Sequence, residues 1–362
     1  MTDILYGAPA SLFSGKARAY LDWKQIDYEE QPPTPAVMQD VIIPNVGYPV
    51  IPVMQKADGT ILQDTTVIID HYETQAGGPS IYPETPKQKL AALLFELFGD
   101  EWLVIPAMHY RWNFNEEWIY TEFGRHSVPD GTAEDHYAQG KKIGQQFKGF
   151  VPMLGINEET IPAIEQSYEA LLTDLDTHFA AHDFLLGTRP SMGDFGLVGP
   201  LYAHLYRDPE SGKLMKRLVP HVASWVERMI DPPNPLGGEF PADDAIPETL
   251  IPVMQRLLGE HIPHLQAVAK LYASWAADNP GADVPRAVGT APYEIEGVEG
   301  ARMASTFSLW MLQRPLDYYR SLNGDAKKDA DALLAEIGGE PFAAFDLPKR
   351  LNFENHRLHQ AG

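Results

Sequence analysis

Val50–Glu73, VIPVMQKADGTILQDTTVIIDHYE, sets a strand, a tight turn, a second strand and the start of a helix in one short stretch. Ile51-Pro52-Val53-Met54 is brief and apolar, as a buried strand is, and it opens on a proline. Proline has no N–H to give a sheet ladder, so it belongs at a strand start, at an edge or in a special bond. Asp58-Gly59 predicts a hairpin turn, and Thr60-Ile61-Leu62 reads as the returning strand. Gln63-Asp64-Thr65 then offers a cap ahead of the helical run Val67–Tyr72. A helix N-terminus beside a strand end presents unpaired N–H groups and the positive end of the helix dipole. The segment therefore suits the polar end of a small molecule. The plainer alternative is a common hairpin followed by a capped helix.

Upstream, Ile4-Leu5-Tyr6 reads as a strand broken by Gly7-Ala8-Pro9-Ala10. Ser11 to Lys24 is helical, with Leu12, Ala17, Tyr20, Leu21 and Lys24 tracing one face. Asp27–Glu30 fits a second strand, and residues 36–43 a short helix. The order is βαβαββα and is complete by residue 77. The Gly- and Pro-rich run at 77–86 is a linker.

From Lys87 the pattern turns helical, with apolar residues three and four apart, and the same spacing returns over 161–182. Ser191 and Asp194 form an S-x-x-D capping box ahead of an apolar run, just after Phe184-Leu185-Leu186-Gly187. Residues 237–362 begin with a linker. One long helix or two broken ones follow, then a hairpin across Gly297 and two amphipathic helices. The HRLH run containing His356 and His359 is expected to be a frayed tail.

With 28 basic and 50 acidic residues among 362, the net charge is 28 − 50 = −22. That acidity argues against nucleic acid and against anionic membrane surfaces as partners. No apolar run approaches the roughly 20 residues of a spanning helix, and no signal-peptide pattern opens the chain, so a cytoplasmic location is expected. Cysteine is absent, so any thiol chemistry uses the thiol of a ligand. None of the 12 histidines shows an H-x-x-x-H or HExxH spacing with acidic partners, and no metal is expected.

Two of these motifs together resemble the glutathione transferases. The resemblance covers residues 1 to about 236. It implies a thioredoxin-like α/β domain over 1–77, an all-α glutathione transferase domain over 87–236, and a mostly helical extension, 237–362, packed on the helical domain. In such a fold Ile51-Pro52 corresponds to the cis-proline whose neighbouring backbone pairs with glutathione like an added strand. Asp64-Thr65 corresponds to the acid-plus-hydroxyl pair that holds the γ-glutamyl group. The Ser191–Asp194 box corresponds to the capped helix of the second domain. Glutathione is the implied co-substrate. A small hydrophobic electrophile is the implied second substrate, with detoxification as the role and a homodimer as the possible assembly.

The family lowers the pKa of the glutathione thiol with a hydroxyl at the first turn of helix 1. A free cysteine thiol titrates near roughly 8.5. A hydrogen bond to a charged group contributes about 1.5–3 kcal/mol and a helix N-terminus about 0.3–1, together roughly one to three pKa units. Ser11 is the candidate, at a spacing similar to the serine-using classes, and it can be an N-cap at the same time. Tyr6 ends the first strand as a core or pocket-lining residue. Ser14 lies one turn on, and Arg18 is similar to a structural arginine of the family. Trp102, Met108, Tyr110, Trp112, Phe114 and Trp118 crowd the stretch that would face the electrophile, although helical spacing also suits plain core. His109 and Arg111 add polar groups that could orient a substrate. The stretch from Asn113 to Gly155 reads as an insertion roofing the pocket.

One departure stands out. Many family members place Lys or Arg just before the Val-Pro to pair the glycyl carboxylate, whereas this chain has Tyr48, Pro49 and Val50. Lys16 or a distant residue would have to substitute. A non-catalytic binding protein of this fold, or a glutathione-dependent isomerase or ether-cleaving enzyme, are the alternatives.

Overall fold

The structure, a computed structural model, describes residues 2–361. It opens with β1 (Asp3–Tyr6), α1 (Leu12–Trp23) and β2 (Tyr28–Gln31). α2 (Pro35–Val37) and α3 (Ile43–Val46) follow, joined by a π-helical turn over Met38–Ile42. β3 (Val53–Gln55), β4 (Ile61–Gln63) and α4 (Thr65–Gln75) complete a thioredoxin-like α/β domain. The strand order is β2-β1-β3-β4, with β1 parallel to β2 and the other pairs antiparallel. Tyr6 pairs with Val53, and Val53 with Gln63. The end of β1, the start of β3 and the end of β4 therefore meet at one end of the sheet. Everything attached there, namely the loop to Ser11, Pro52 and Asp64, is brought together by register alone.

The helical domain comprises α5 (Pro86–Glu101), α6 (Val104–Phe114), α7 (Glu116–Ser127), α8 (Ala133–Lys148), α9 (Ile161–Phe179), α10 (Met192–Ala203), α11 (Pro209–Leu218) and α12 (Pro220–Ile230). The chain continues with α13 (Ile251–Asp278), β5 (Ala287–Ile295), β6 (Val298–Ser305), α14 (Thr306–Ser321), α15 (Gly324–Glu336), α16 (Glu340–Ala343), β7 (Leu351–Glu354) and β8 (Arg357–Gln360). By internal contacts it divides into two compact units. The first holds the chain up to Ile81, Ala107–Val151 and Leu197–Gly238. The second holds Tyr82–Pro106, Pro152–Gly196 and the chain from Glu239 onward.

In the first unit α1 packs on α4, tied by Glu73. That carboxylate accepts from the Tyr20 hydroxyl at 2.8 Å, pairs with Lys24 at 2.8 Å, and accepts from Ser80 and the Ile81 N–H. Tyr6, Ile42, Val46 and Val53 form a buried cluster beside the sheet. The stretch from Asn113 to Gly155 is largely an antiparallel helical hairpin, α7–α8, whose backbones touch. A Cβ on Gly124 would lie 1.7 Å from the His136 carbonyl oxygen, and one on Gly140 1.6 Å from that of Tyr120. Gly124 and Gly140 thus serve close helix packing rather than loop bends.

In the second unit the Ser191–Asp194 box is fully buried. Asp194 accepts from the Ser191 N–H and hydroxyl, both at 2.8 Å, and from the Leu185 N–H at 2.9 Å. α13 is one unbroken helix that contains Pro263, and the β5–β6 hairpin packs along it. The tail is not frayed. β7 and β8 pair, Gln313 exchanges two hydrogen bonds with Leu351, and Gln360 donates to the Asn279 carbonyl at 2.7 Å. Asn355 and His356 both take positive φ, the backbone of a two-residue hairpin turn that sequence announces clearly only when glycine is present.

Candidate functional site

The loop from β1 to α1 is pinned at every turn. The Gly7 N–H donates to the Gln31 carbonyl at 3.1 Å, Ala8 N–H to the Ser14 hydroxyl at 3.3 Å, and Ser11 N–H to the Ala8 carbonyl at 3.0 Å. A Cβ on Gly7 would meet the Glu30 carboxylate at 3.0 Å and the Ser14 hydroxyl at 3.2 Å, so the loop is tight against β2 and α1. Ser11 caps α1: its oxygen accepts from the Ser14 N–H at 3.2 Å, and the residue is half-buried. Because the oxygen serves as acceptor in the cap, the hydroxyl proton remains available to donate outward. The first turn of α1 contains no acidic side chain to offset the helix dipole. Ser14 is fully buried and holds Ala8.

Tyr6 lies in the buried cluster, with its hydroxyl donating to the Gln55 side chain at 2.7 Å. Burial and the nearby Glu29 carboxylate push its pKa up, so the phenol holds its proton. Arg18 is paired with Glu30.

At the same end of the sheet, the Ile51–Pro52 peptide bond is cis. No hydrogen bond engages the Ile51 backbone among the described residues, so its amide and carbonyl remain open to a further extended strand. Asp64 is the N-cap of α4, accepting from Thr66 N–H at 2.8 Å and Val67 N–H at 3.3 Å. It adopts φ 80°, ψ 137°, a region that L-residues rarely occupy. Thr65 is 2% exposed, and its hydroxyl has no protein partner among the described residues. The first turn of α4, like that of α1, lacks acidic side chains.

Lys16 is fully buried, and its ammonium lies 3.5 Å from the Thr66 hydroxyl, inside the α1–α4 packing. Pro49 is exposed and Val50 half-buried, so the position just before the cis-proline bond is apolar and offers no cation. Tyr48 donates its hydroxyl to Gln63 at 3.1 Å.

The residues expected to face an electrophile occupy varied surroundings. Met108 and Tyr110 are buried, and Tyr110 stacks on Phe114, which is half exposed, with ring centroids 5.5 Å apart. His109 meets both rings edge-on. Trp112 is buried against Tyr120 and Phe123, within the packing of α6 on α7. Trp118 lies under the Arg207 guanidinium.

Arg111 differs most from its expected place. It is 2% exposed and grips Asp208 with Nε at 2.7 Å and Nη2 at 2.8 Å. It also donates to the carbonyls of Ala10 and Ala203, both at 2.6 Å. With four of its N–H directions used inside the protein, Arg111 is a clamp and not a substrate-facing cation. Burial raises the pKa of Asp208, and the Arg111 charge opposes that rise. Ala10 and Asp208 carry no sequence signal of this contact, since nothing in their spacing pairs them with Arg111.

These surroundings offer two helix N-termini, an outward-pointing hydroxyl and an open strand edge within one end of a single sheet. Among the described residues no group of His, Asp and Glu could hold a metal ion. Among the described residues no helix is long and apolar enough to cross a membrane.

Residues 5–80 match the family model for the glutathione S-transferase N-terminal domain, and residues 158–228 that for the glutathione S-transferase C-terminal domain. No curated protein matches the chain. Among solved structures, it is similar to a Tau class glutathione S-transferase from mango, Mangifera indica, at 18% identity. That match covers 68% of this chain and 94% of that one, with a TM-score of 0.41. The beta-etherase LigF from Sphingobium sp. strain SYK-6 is 20% identical over 65% of this chain and 97% of its own, with a TM-score of 0.47. The glutathione transferase GSTFuA3 from Phanerochaete chrysosporium is 16% identical over 63% and 96%, with a TM-score of 0.45. With both domain models matched in order, on a thioredoxin-like sheet followed by a helical domain, residues 5–80 and 158–228 are the N- and C-terminal domains of the glutathione S-transferase family.

Proposed function

We propose that the protein is a serine-type glutathione transferase, which ionises the glutathione thiol at Ser11 for attack on a small hydrophobic electrophile. The observation that carries this is the state of Ser11. Its oxygen is occupied as the α1 cap, its proton is uncommitted, and it lies at the end of the sheet where β1 ends, β3 starts and β4 ends. Glutathione lies along Ile51 as an added strand, and its γ-glutamyl end meets Asp64, Thr65 and the N-terminus of α4. The thiol loses its proton to solvent. Ser11 O–H and the α1 dipole then hold the thiolate. A sulfur–carbon bond forms as the bond from that carbon to its leaving group breaks, and the leaving group departs with the electron pair. Tyr6 and Ser14 support this site from behind, and Met108 and Tyr110 belong to the helix nearest the electrophile. A cytoplasmic homodimer is the setting expected of such an enzyme.

One observation favours binding without catalysis. No cation stands at positions 49–50, and Lys16 is buried against Thr66, which leaves the glycyl carboxylate without an evident partner. The test is calorimetric titration with glutathione, followed by conjugation to an aryl halide and ultraviolet titration of the bound thiolate. Wild type binds and turns over, and Ser11→Ala, which removes the hydroxyl but not the helix N-terminus, raises the bound thiol pKa by roughly one to two units. Binding without turnover selects the second function. No binding at millimolar glutathione refutes both.

A further inference from the structure

We infer that Arg111 is a positioning residue for the thiol-activating serine, acting through the carbonyl of Ala10; this rests on the proposed role of Ser11. Ala10 and Ser11 share one peptide unit, so fixing the Ala10 carbonyl fixes the plane from which the Ser11 side chain projects. Other restraints on that loop come from Gln31, Ser14 and the Ala8 carbonyl. The Ala10 carbonyl is held by Arg111, 101 residues further along the chain. Its orientation is not adjustable. Asp208 takes Nε and Nη2 as a two-pronged pair, Ala203 takes a further Nη2 hydrogen, and Nη1 is thereby aimed at Ala10. A planar guanidinium can hold these contacts at once, whereas an ammonium on a flexible stem cannot. The carboxylate at Asp208 also balances the buried charge, so the clamp steers geometry with little net field at the thiol. His204, buried beside it, lends its carbonyl to Ser211 and not to the clamp. Through Arg111, α6 and the start of α11 set how Ser11 meets the sulfur.

The test is a double-mutant cycle read on the pKa of the bound glutathione thiol and on kcat. Arg111→Lys keeps the charge and loses the fork. It is expected to leave glutathione affinity within about twofold, to raise the thiol pKa towards that of Ser11→Ala, and to lower kcat about tenfold to a hundredfold. The decisive arm is the pair. If Arg111 acts through Ser11, then Arg111→Lys adds nothing to the thiol pKa of Ser11→Ala. Additive shifts in the double variant, or an unchanged thiol pKa in Arg111→Lys, overturn the inference. If Ser11→Ala itself leaves the thiol pKa unmoved, it is the serine mechanism that fails instead. Asp208→Asn keeps a hydrogen-bonding partner for the guanidinium while loosening it, and should give a smaller shift of the same sign. It carries the test should Arg111→Lys not fold.

Discussion

Asp64 is held between two opposing demands. Its carboxylate caps α4, which contributes about 0.5–2 kcal/mol, while its φ of 80° with ψ 137° costs about 1–3 kcal/mol. Strain of this kind persists where it places a group for use. Asp64→Gly should therefore keep or raise the thermal midpoint, since glycine adopts positive φ freely and caps almost as well. Asp64→Ala should lose about 1 kcal/mol, because it keeps the strain and drops the cap. Glutathione affinity should fall roughly tenfold to a hundredfold in both, from loss of a charged hydrogen bond. Melting curves and calorimetry separate the effects, and a glycine variant less stable than the alanine variant contradicts the strain argument. At this scale the sequence made Ser11, Asp64 and Thr65 visible as cap chemistry. It gave no sign that Arg111 turns inward, because its partners are a backbone carbonyl beside Ser11 and a carboxylate nearly a hundred residues away.

The α7–α8 hairpin and α13 carry opposite lessons about glycine. Gly140 sits where a Cβ would fall 1.6 Å from a backbone oxygen, so Gly140→Ala must part the two helices. We expect a loss of about 1–3 kcal/mol or more, seen as a lower urea midpoint. Gly259, exposed within α13, has nothing within 4 Å of an added Cβ. Gly259→Ala should gain about 1 kcal/mol from helix propensity alone. Equal midpoints for the two variants would refute the close-packing account. Sequence marks both positions alike, as glycine in a helix-forming stretch. Only the neighbouring backbone distinguishes them.

Across the whole molecule, buried neutral histidines couple stability to acidity. His178 bridges Thr249 and the Phe184 carbonyl, and His264 lies against the Pro292 carbonyl. Burial pushes both to about 4. Burial likewise holds His204 and His261 well below the usual range, the Arg111 charge adding to it for His204 and the positive potential of Arg302 for His261. A lowered histidine pKa means that the unfolded chain takes up protons first. Stability is therefore full above pH 6.5 and falls between 6.5 and about 4, by about 3 kcal/mol for each of His178 and His264. Thermal midpoints should drop steadily from pH 7 to pH 4.5, with a shallower fall in His178→Gln. A flat profile would contradict neutral burial. The sequence by itself determined the βαβαββα order, the hairpin at Asp58-Gly59, the caps at Ser11, Asp64 and Ser191, and hence the family, because turns, caps and periodicity are written in neighbouring residues. Tertiary structure alone decided that Tyr6 and Trp112 are core, that Lys16 is buried, that the tail is a pinned hairpin, and that Arg111 holds the peptide of Ser11. Those outcomes depend on partners far along the chain, and only packing brings such partners within hydrogen-bonding reach.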